Sequence, residues 1–472
     1  MNRLLISAAH KSSGKTTVCI GLCAALRARG AVVQPFKKGP DYIDPLWLGL
    51  AAGRPCYTLD AYLSGADEVR AEFARRMAGA TVGIVEGNKG LYDGLDLDGS
   101  NSNAALAALL GTPVILVIDA RGMTRGIAPL ILGYQAFDRN IRIAGVILNQ
   151  LGGARHEAKL RAVIRHYTDV PVLGAIQHDD SLTIVERHLG LVPSNETETP
   201  QQRIGEIGAR VAAGVDLDQL LAIAAQVAPL PAMVPDAGAA DGRRVRLGIV
   251  RDAAFGFYYP GDLDALAAAG AELVPISALH DHRLPPLDGL FIGGGFPEMH
   301  LDALAANASL RHELRAAIDA GMPAYAECGG LMYLARSIET NGRSAPMVGA
   351  IAADIVMHTR PVGRGYVHLR ETGRGLWPQP GTAEIRAHEF HYSSVENLAP
   401  GTRFAYRVER GHGIDGKHDG IVVNNLLASY SHLRDVTANP WARRFVDFIR
   451  RCRSNSRPTA RHADTTRSEH AA

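Results

Sequence analysis

The sequence predicts an α/β protein of two domains, and three observations support this class. Short apolar runs alternate with helix-length amphipathic segments from the first residue onward, which is typical of a doubly wound parallel sheet. Residues 231–244 interrupt this pattern with a linker composition rich in Pro, Ala, Gly and Asp. The 472 residues also exceed the usual size of one domain. We therefore predict domains over 1–230 and 245–452 and a disordered tail over 453–472.

Six strands are predicted in the first domain, each followed by glycine or polar residues and then by an amphipathic stretch. They are Leu4–Ala8, Val32–Phe36, Val82–Glu86, Val114–Asp119, Ile143–Asn149 and Val172–Ile176. The second domain begins with the strand Val245–Val250, but its later part reads as successive strands. These strands are Ala345–Val356, Gly365–Arg370, Glu384–Phe390, Phe404–Glu409 and Gly420–Asn425. A last helix is predicted from about Pro440 to Cys452.

The bulk composition is that of a soluble globular enzyme. Hydrophobic residues make up 47% of the chain and charged residues 21%, and the formal net charge of +2 gives no reason to expect a nucleic-acid partner. The five cysteines include no CxxC pair, which argues against a disulfide framework or a zinc site. No apolar run reads as a signal peptide or a membrane-spanning helix, so the expected location is the cytoplasm, without a membrane partner.

A phosphate-binding loop is predicted between the first strand and the first helix. The run AHKSSGKTT fits the pattern G-x-x-x-x-G-K-[ST], except that Ala9 replaces the first glycine. Backbone N–H groups and the helix amino terminus would bind phosphate oxygens, and Lys15 would reach the β and γ phosphates. Asn149 ends a strand and would either contact the adenine edge or cap a helix. The candidate ATP-binding residues are Ser12, Ser13, Gly14, Lys15, Thr16, Thr17 and Asn149.

A magnesium site and an acceptor site are predicted at the same edge of the sheet. Glu86 ends an apolar strand and would bind Mg²⁺ together with the Thr16 hydroxyl, although a surface-capping glutamate is the alternative. The loop FKKGPDYIDP places two lysines and two aspartates, Lys37, Lys38, Asp41 and Asp44, on the ligand side of the sheet. Of these, the candidate substrate-binding residues are Lys37, Asp41 and Asp44. Lysines there can neutralise a polycarboxylate or a γ-phosphate, and the aspartates can hold a metal or orient the acceptor. A solvated charged loop is the alternative.

A cysteine nucleophile is predicted in the second domain. The run ECGGLMYL follows a strand, which places Cys328 on a sharp strand-to-helix turn, although a buried inert cysteine is the alternative. His432 in SYSHLR is the predicted base. Because Arg434 stands where an orienting glutamate would be natural, we predict a Cys–His dyad. Backbone N–H groups for the oxyanion and glutamine site are assigned to Gly294, Gly295 and Gly329.

Two histidines in AHEFHYS form a further motif. His388 and His391 are three residues apart on a predicted strand, so they face opposite sides and make a poor metal pair. We interpret the motif as part of the glutamine site or of a domain interface.

Nine motifs together resemble one family over roughly residues 1–450, the cobyrinic acid a,c-diamide synthases of corrinoid and related tetrapyrrole biosynthesis. The motifs are HKSSGKTT, KKGPDYIDP, EGNKGLYDG, GVILN, ERHLGLVP, GGGFPE, ECGGLMYL, EFHYS and SYSHL. The resemblance implies a P-loop synthetase domain similar to dethiobiotin synthetase and a class I-type glutamine amidotransferase domain. Cys328 would be its nucleophile, and His432 would raise the reactivity of the thiol. It also implies ATP, Mg²⁺, glutamine and a polycarboxylate tetrapyrrole.

The predicted reaction is ATP-dependent amidation of the a and c acetate carboxylates of cobyrinate or hydrogenobyrinate, through an acyl phosphate. Asn88 and Lys89 stand where the corrin-amidating members have Val-Met, and the run LWLGLAAG lacks the histidine that they place after YIDP. These differences keep two alternatives open, which are amidation of sirohaem and amidation of nickel-sirohydrochlorin. Cobyric acid synthase-type amidation is a third alternative, because the same fold order serves both kinds of enzyme. The oligomeric state also stays open, with a homodimer as one option.

The non-enzyme alternative is a regulatory P-loop ATPase of the partition or nitrogenase-iron-protein type. Such proteins carry a signature lysine at the start of the loop, where this chain has His10. This alternative also leaves the whole second domain without a role.

Overall fold

The computed structural model contains two large sheets, one in each half of the chain. It describes residues 1–180, 184–187, 190–230, 242–379 and 384–455. Most of the predicted linker (231–241), residues 456–472 of the predicted tail and residues 188–189 of the ERHLGLVP motif lie outside the described residues. Within these described ranges, no helix combines the length and apolar character needed to cross a membrane.

The first half is a sheet with helices on both faces. Its strands are β1 (Asn2–Ala8), β2 (Val33–Lys38), β3 (Tyr57–Leu59), β4 (Val82–Glu86), β5 (Val114–Asp119), β6 (Ile143–Leu151) and β7 (Val172–Gln177). A short hairpin follows, formed by β8 (Glu186–Arg187) and β9 (Gly190–Leu191). The helices are α1 (Lys15–Ala28), α2 (Ile43–Ala52), α3 (Ala61–Ser64), α4 (Ala66–Arg76), α5 (Asn103–Leu110), α6 (Ile127–Phe137), α7 (Ala154–Tyr167), α8 (Pro200–Gly214) and α9 (Leu217–Ala225).

The seven-stranded sheet has the order β3-β2-β4-β1-β5-β6-β7, and all its pairings are parallel. Leu4 and Ile6 of β1 pack in one apolar cluster with α1, α2, α8 and α9, whereas Leu5 packs in another with α4 to α7. Apolar residues on both faces of every strand are what a parallel sheet requires. The carboxyl ends of the strands share one edge, where ligands bind in such folds.

The second half mixes parallel and antiparallel strands. Its strands are β10 (Val245–Val250), β11 (Phe255–Phe257), β12 (Ala271–Ile276), β13 (Gly289–Ile292), β14 (Gly294–Gly295), β15 (Ala324–Glu327), β16 (Ser337–Thr340), β17 (Arg343–Pro346), β18 (Asp354–Met357), β19 (Gly363–Glu371), β20 (Ile385–His391), β21 (Ser393–Glu396), β22 (Arg403–Arg410), β23 (His418–Val423) and β24 (Leu426–Ser429). The helices are α10 (Pro260–Ala268), α11 (Leu301–Ala306), α12 (Ala308–Asp319), α13 (Gly329–Leu334) and α14 (Trp441–Asn455).

Nine of these strands form a sheet with the order β12-β10-β13-β15-β24-β23-β22-β19-β20. The pairings from β12 to β24 are parallel, and those from β24 to β20 are antiparallel. A smaller sheet has the order β17-β16-β18-β21. β15 lies in the parallel part of this sheet. Its carboxyl end, and therefore Cys328, lies at the edge of the sheet where the parallel strands end.

The predicted strands of the first half correspond to β1, β2 and β4 to β7, and the predicted α/β class is confirmed in both halves. The three-residue strand β3 was missed because it is too short for a periodic pattern. The predicted strand Ala345–Val356 is two strands, β17 and β18, which pair with opposite sides of β16. The last helix continues to Asn455, so residues 453–455 of the predicted tail are helical.

Candidate active site

The loop between β1 and α1 has the geometry of a phosphate-binding loop. Gly14 directly precedes α1 and has a φ of 78°, in the left-handed region that favours glycine. A Cβ at this position would lie 2.1 Å from Asn149 Nδ2, so the approach of that side chain also requires glycine. Ser13 Oγ donates a hydrogen bond to His10 O at 2.8 Å within the loop. The loop therefore leads into the amino terminus of α1, as the motif predicted.

Asn149 fixes the loop from the neighbouring strand. Its Nδ2 donates to Ser13 O at 2.9 Å, and it caps no helix, because α7 begins after Gly153. Asn149 lines a cavity of about 300 Å³ together with Ser12, Gly14 and Thr17, bordered by residues 176–180 at and after the end of β7. The contact of Asn149 with adenine stays a prediction.

A buried polar cluster lies beside the loop, at the carboxyl ends of β2 and β4. Thr16 Oγ1 donates to Glu86 Oε1 at 2.6 Å and to Asp44 Oδ2 at 3.2 Å. Lys37 Nζ lies 2.5 Å from Asp44 Oδ2, 3.1 Å from Glu86 Oε1 and 3.5 Å from Asp41 Oδ2. The structure therefore brings together all five residues predicted for metal and acceptor binding. Lys37 itself is enclosed by three carboxylates.

Burial and mutual charge set the protonation of this cluster. Burial lowers the pKa of Lys37, but the charges of Asp44 and Glu86 outweigh it and raise the pKa well above its usual value. Burial and the charge of Asp44 raise the pKa of Asp41 to about 7. Burial also raises the pKa of Glu86, and Lys37 opposes that rise. The cluster is thus a network of ion pairs around Lys37, in which the carboxyl group of Asp41 titrates near neutral pH.

The oxygen donors of this cluster fit a magnesium ion. Glu86 Oε2 is buried and has no hydrogen-bond partner among the described residues, and the Thr16 hydroxyl and Asp44 carboxylate lie beside it. Mg²⁺ needs only one or two protein carboxylates when phosphate oxygens and waters complete its shell. Consistently, the described part of the chain has no group of three or more His, Cys, Asp or Glu arranged as a complete metal cage.

Cys328 lies on the predicted strand-to-helix turn. β15 ends at Glu327, α13 begins at Gly329, and Cys328 between them has φ 47° and ψ −103°, a conformation that non-glycine residues rarely adopt. The Cys328 N–H donates to Ser429 O at 2.8 Å, which holds the turn against β24. Strained backbone of this kind is typical of nucleophile turns.

The candidate oxyanion glycines surround this turn. A Cβ at Gly329 would lie 2.9 Å from both N and O of Gly295, and a Cβ at Gly294 would lie 2.8 Å from His432 Cε1. The structure therefore places the three glycines in close contact with each other and with the Cys–His pair. That their N–H groups bind the oxyanion stays a prediction.

His432 has an acidic partner that the sequence reasoning missed. Glu327 Oε2 lies 3.2 Å from His432 Nδ1, and Glu327 Oε1 accepts hydrogen bonds from Leu433 N at 3.0 Å and Tyr325 OH at 2.6 Å. The Cys–His dyad stays a prediction, to which the structure adds a carboxylate partner for His432. The carboxylate precedes the cysteine in ECGG instead of following the histidine, and the sharp turn at Cys328 breaks the strand alternation that would otherwise point these neighbours apart.

These contacts decide the charge of His432. Burial lowers its pKa, but the hydrogen bonds and charges of Cys328 and Glu327 outweigh it and raise the pKa to about 10. A protonated imidazole beside the sulfur can act as a general acid toward a leaving group.

A cavity of about 240 Å³ opens beside Cys328. Its lining includes Gly295, Met332, Phe390 and His391. His391 Nδ1 bonds to Ser393 O at 2.8 Å, and its Nε2 makes no hydrogen bond among the described residues but lies 3.6 Å from Glu389 Oε2. The cavity is large enough for an amino-acid side chain, and the imidazole of His391 gives it a polar wall.

An aromatic cluster joins the two halves of the chain next to His432. Tyr42, from the loop that carries Asp41 and Asp44, has ring-centroid distances of 4.4 Å to Tyr259, 5.7 Å to His388 and 5.1 Å to His432. His388 stacks on His432 at 4.9 Å. The ring of Tyr42 is therefore part of a wall between two sites. On one side lies the acidic cluster, formed by Asp41, Asp44 and Glu86, and on the other lies the thiol site, formed by Cys328 and His432.

The sequence motif suggested a place in the glutamine site or at a domain interface, and the two histidines lie at one of these places each. They lie on opposite faces of β20, with His388 buried at the interface between the two halves and His391 beside the cavity of Cys328. Burial and the charge of His432 hold the pKa of His388 well below its usual value, so this imidazole is neutral. Neither histidine belongs to a metal-binding group among the described residues.

Two family models match the chain. Residues 5–192 match a CobQ/CobB/MinD/ParA nucleotide binding domain, and residues 246–437 match a CobB/CobQ-like glutamine amidotransferase domain.

Curated relatives match along nearly the whole chain, and three of them are cobyrinate a,c-diamide synthases. The protein from Magnetococcus marinus is 48% identical, with 97% of this chain and 99% of the relative covered. The one from Methanosarcina acetivorans is 41% identical, with 97% of each covered. The one from Syntrophotalea carbinolica is 40% identical, with 95% of this chain and 98% of the relative covered. The chain therefore belongs to the cobyrinate a,c-diamide synthase family of glutamine-dependent ligases.

Proposed function

We propose that this enzyme amidates the a and c acetate carboxylates of cobyrinate or hydrogenobyrinate, using ATP and ammonia from glutamine. The observation that carries the proposal is the shared wall at Tyr42, which has the phosphate loop and acidic cluster on one side and the Cys328–His432–Glu327 site on the other. A carboxylate is a poor electrophile and ammonium is no nucleophile, so amide synthesis requires both sites close together.

The first step activates the acceptor. An oxygen of the acceptor carboxylate attacks the γ-phosphorus of ATP, the bond to the β-phosphate oxygen breaks, and ADP leaves an acyl phosphate behind. Lys15 and the N–H groups at the start of α1 bind the transferred phosphoryl group, while Lys37 balances the carboxylates around it. Thr16, Glu86 and Asp44 would hold Mg²⁺, which neutralises phosphate charge when it is bound.

The second step releases ammonia. The Cys328 thiolate attacks the side-chain carbonyl of glutamine, and the tetrahedral oxyanion forms next to the glycines at 294, 295 and 329. His432 then donates a proton to the leaving nitrogen, the C–N bond breaks, and a thioester remains. Water hydrolyses the thioester to glutamate. Glu327 holds His432 in the orientation and charge that these transfers need.

The third step joins the two products. Ammonia attacks the acyl carbon of the acyl phosphate, the bond to the phosphate oxygen breaks, and the amide and inorganic phosphate are released. The aromatic wall of Tyr42, Tyr259 and His388 keeps water from the space between the sites, because all three side chains are buried.

Product analysis tests the acceptor. We expect purified enzyme with ATP, Mg²⁺ and glutamine to lower the mass of cobyrinate by about one unit per converted carboxylate, since each O–H becomes an NH₂. Sirohaem, sirohydrochlorin and its nickel complex serve as competing acceptors in parallel reactions. Conversion of sirohaem in preference to cobyrinate would contradict the corrinoid assignment while leaving the reaction class intact, whereas no conversion of any of them would contradict both.

Replacing Cys328 by alanine tests whether glutamine hydrolysis and amidation take place at separate sites. We expect the Cys328→Ala enzyme to lose glutamine-dependent amidation and glutamate formation, because no other thiol lines the glutamine cavity in the described structure. Amidation with ammonium chloride should remain within about twofold of the unchanged enzyme, since the substituted atom makes no contact in the phosphate loop. Loss of both activities would contradict the two-site scheme.

A further inference from the structure

Two neighbouring lysines at the end of β2 have opposite surroundings. Lys37 is enclosed by the carboxylates of Asp41, Asp44 and Glu86. Lys38 is also buried, with 6% of its surface exposed, yet it takes part in no ion pair among the described residues. A buried ammonium without an anion is costly, so such a group normally has a charged partner.

The contacts of Lys38 are all with neutral oxygens. Its Nζ donates to the backbone O and the side-chain Oδ1 of Asn101, each at 2.6 Å, and weakly to Asn88 Oδ1 at 3.4 Å. The largest opposing charge is that of Asp60, whose oxygens accept hydrogen bonds from Tyr366 OH and from backbone N–H groups. Burial lowers the pKa of Lys38 to about 8, and the charge of Asp60 offsets only part of that effect.

Lys38 lines a cavity of about 230 Å³ between the two halves of the chain. On the first side the cavity is bordered by Asn88, Lys89 and Asn101, and on the second side by Arg364 and Tyr366 of β19 together with residues 388–390 of β20. Lys89 and Arg364 are exposed at the cavity and form no ion pair among the described residues. Three cations without carboxylate partners therefore surround one opening.

Two carboxylates in the cavity wall, Asp93 and Glu389, offset only part of the charge of the three cations. Asp93 Oδ2 accepts from Gly90 N at 2.9 Å. Glu389 accepts from the backbone N–H groups of His412 at 2.6 Å and Gly413 at 2.8 Å. The net character of the cavity is thus cationic, with amide donors at Asn88 and Asn101.

We propose that this cavity binds a peripheral carboxylate of the acceptor, with Lys38 as the buried charge contact and Lys89 and Arg364 at the entrance. The proposal rests on the proposed function and adds the place where an acceptor carboxylate other than the reacting one is held. Because Arg364 and Tyr366 come from the second half, the bound acceptor bridges both halves beside His388, which also lines the cavity. A tetrapyrrole with several acetate and propionate groups can occupy this cavity and the acidic cluster at the same time.

Steady-state kinetics with cobyrinate test the assignment. The reactions use the full-length enzyme with ATP, Mg²⁺ and ammonium chloride as nitrogen source, so that the glutamine site is not involved. For Lys38→Met we expect the KM for cobyrinate to rise about ten- to a hundredfold, the range typical of losing a buried charge-assisted hydrogen bond. For Arg364→Met, which changes an exposed residue and keeps the test open if Lys38→Met does not fold, we expect about three- to tenfold.

Three controls make the result specific. Lys159→Met removes an exposed lysine on α7 and should leave the KM for cobyrinate unchanged. The KM for ATP and the rate of glutamate formation should stay within about twofold in every variant. Equilibrium dialysis of cobyrinate without ATP should rank the variants by affinity in the same order as their KM values. This measurement reports binding without turnover.

Each outcome supports or overturns the proposal. An unchanged KM for cobyrinate in both variants, while the unchanged enzyme amidates cobyrinate, overturns the carboxylate site and leaves the proposed function standing. A rise in the KM for ATP, with cobyrinate unaffected, shows that the cavity binds phosphate and also overturns it. If the unchanged enzyme neither binds nor amidates cobyrinate or sirohaem, the proposed function itself fails and this site fails with it.

Discussion

His432 lies between a thiol and a carboxylate, and its charge depends on both. Its pKa of about 10 means that the imidazole stays protonated across the neutral range and loses its proton only as the pH approaches that value. Glu327 is one source of this shift, and it makes no contact with the glutamine cavity in the described structure. We therefore propose that the carboxylate acts through His432 and not on the substrate.

Replacing Glu327 by glutamine should weaken the glutaminase without affecting the synthetase. The neutral amide no longer stabilises the imidazolium, so the pKa of His432 falls and the alkaline limb of glutaminase kcat/KM moves to lower pH. Because one pKa unit corresponds to a factor of ten, we expect the loss on the alkaline side, near pH 10, to reach about tenfold for each unit by which the pKa falls, and to be small at neutral pH. Glutamate formation measured from pH 6 to 10 checks this. An unchanged pH profile, or an equal loss of ammonia-dependent amidation, would contradict the role of Glu327.

The phosphate loop and α1 depend on a single glycine at their junction. Gly14 combines a positive φ with close contact to Asn149, whereas Gly79 has a similar φ of 71° and no atom within 4 Å of its ideal Cβ position. An alanine at Gly79 therefore introduces backbone strain alone, whereas an alanine at Gly14 introduces the same strain and a clash with Asn149. Alanine costs on the order of 1–2 kcal/mol in the left-handed conformation at either position.

We expect Gly14→Ala to raise the KM for ATP or abolish ATP-dependent amidation, because the new methyl group displaces Asn149 and distorts the loop. Gly79→Ala should keep its KM for ATP, although it should be destabilised by a similar amount of backbone strain. Kinetics with ATP and thermal unfolding of both variants check this. Equal effects of the two substitutions on the KM for ATP would show that the contact with Asn149 is unimportant.

The long elements were predictable because their signals are local. Apolar runs at the positions of β1, β4 and β5, and the phosphate-loop motif before α1, appear directly in the sequence. The strands β17 and β18 were merged into one because the residues between them are as apolar as the strands. Glu327 was missed for a different reason, since its approach to His432 depends on a turn and on two residues 105 positions apart. The charge contrast between Lys37 and Lys38 likewise needs the tertiary structure.

The two halves of the chain meet through Tyr42, His388 of β20 and His432, which follows β24. This arrangement makes the loop that carries the acidic cluster part of the wall of the thiol site. A change in the wall should therefore alter how efficiently ammonia from one site is used in the other, without removing either chemistry.

Replacing Tyr42 by alanine should uncouple the two activities. Removing the ring opens the wall between Tyr259 and His432, so that water enters and ammonia escapes. We expect more than about two molecules of glutamate per amide formed, against about one in the unchanged enzyme. Tyr42→Phe keeps the ring and should keep the ratio near one. A ratio near one in Tyr42→Ala would mean that this wall does not contain the ammonia.

The transfer of nitrogen from Cys328 to the acceptor is tested most directly by isotope competition. Amide-¹⁵N glutamine is supplied together with an excess of ordinary ammonium chloride, and the amidated tetrapyrrole is analysed by mass spectrometry. The unchanged enzyme should place mainly ¹⁵N in the product, because ammonia released at Cys328 reaches the acyl phosphate before it mixes with solvent. The Cys328→Ala enzyme should place only ¹⁴N there. A product from the unchanged enzyme that carries the isotope ratio of the bulk ammonium, or ¹⁵N incorporation by Cys328→Ala, would contradict the coupled two-site mechanism.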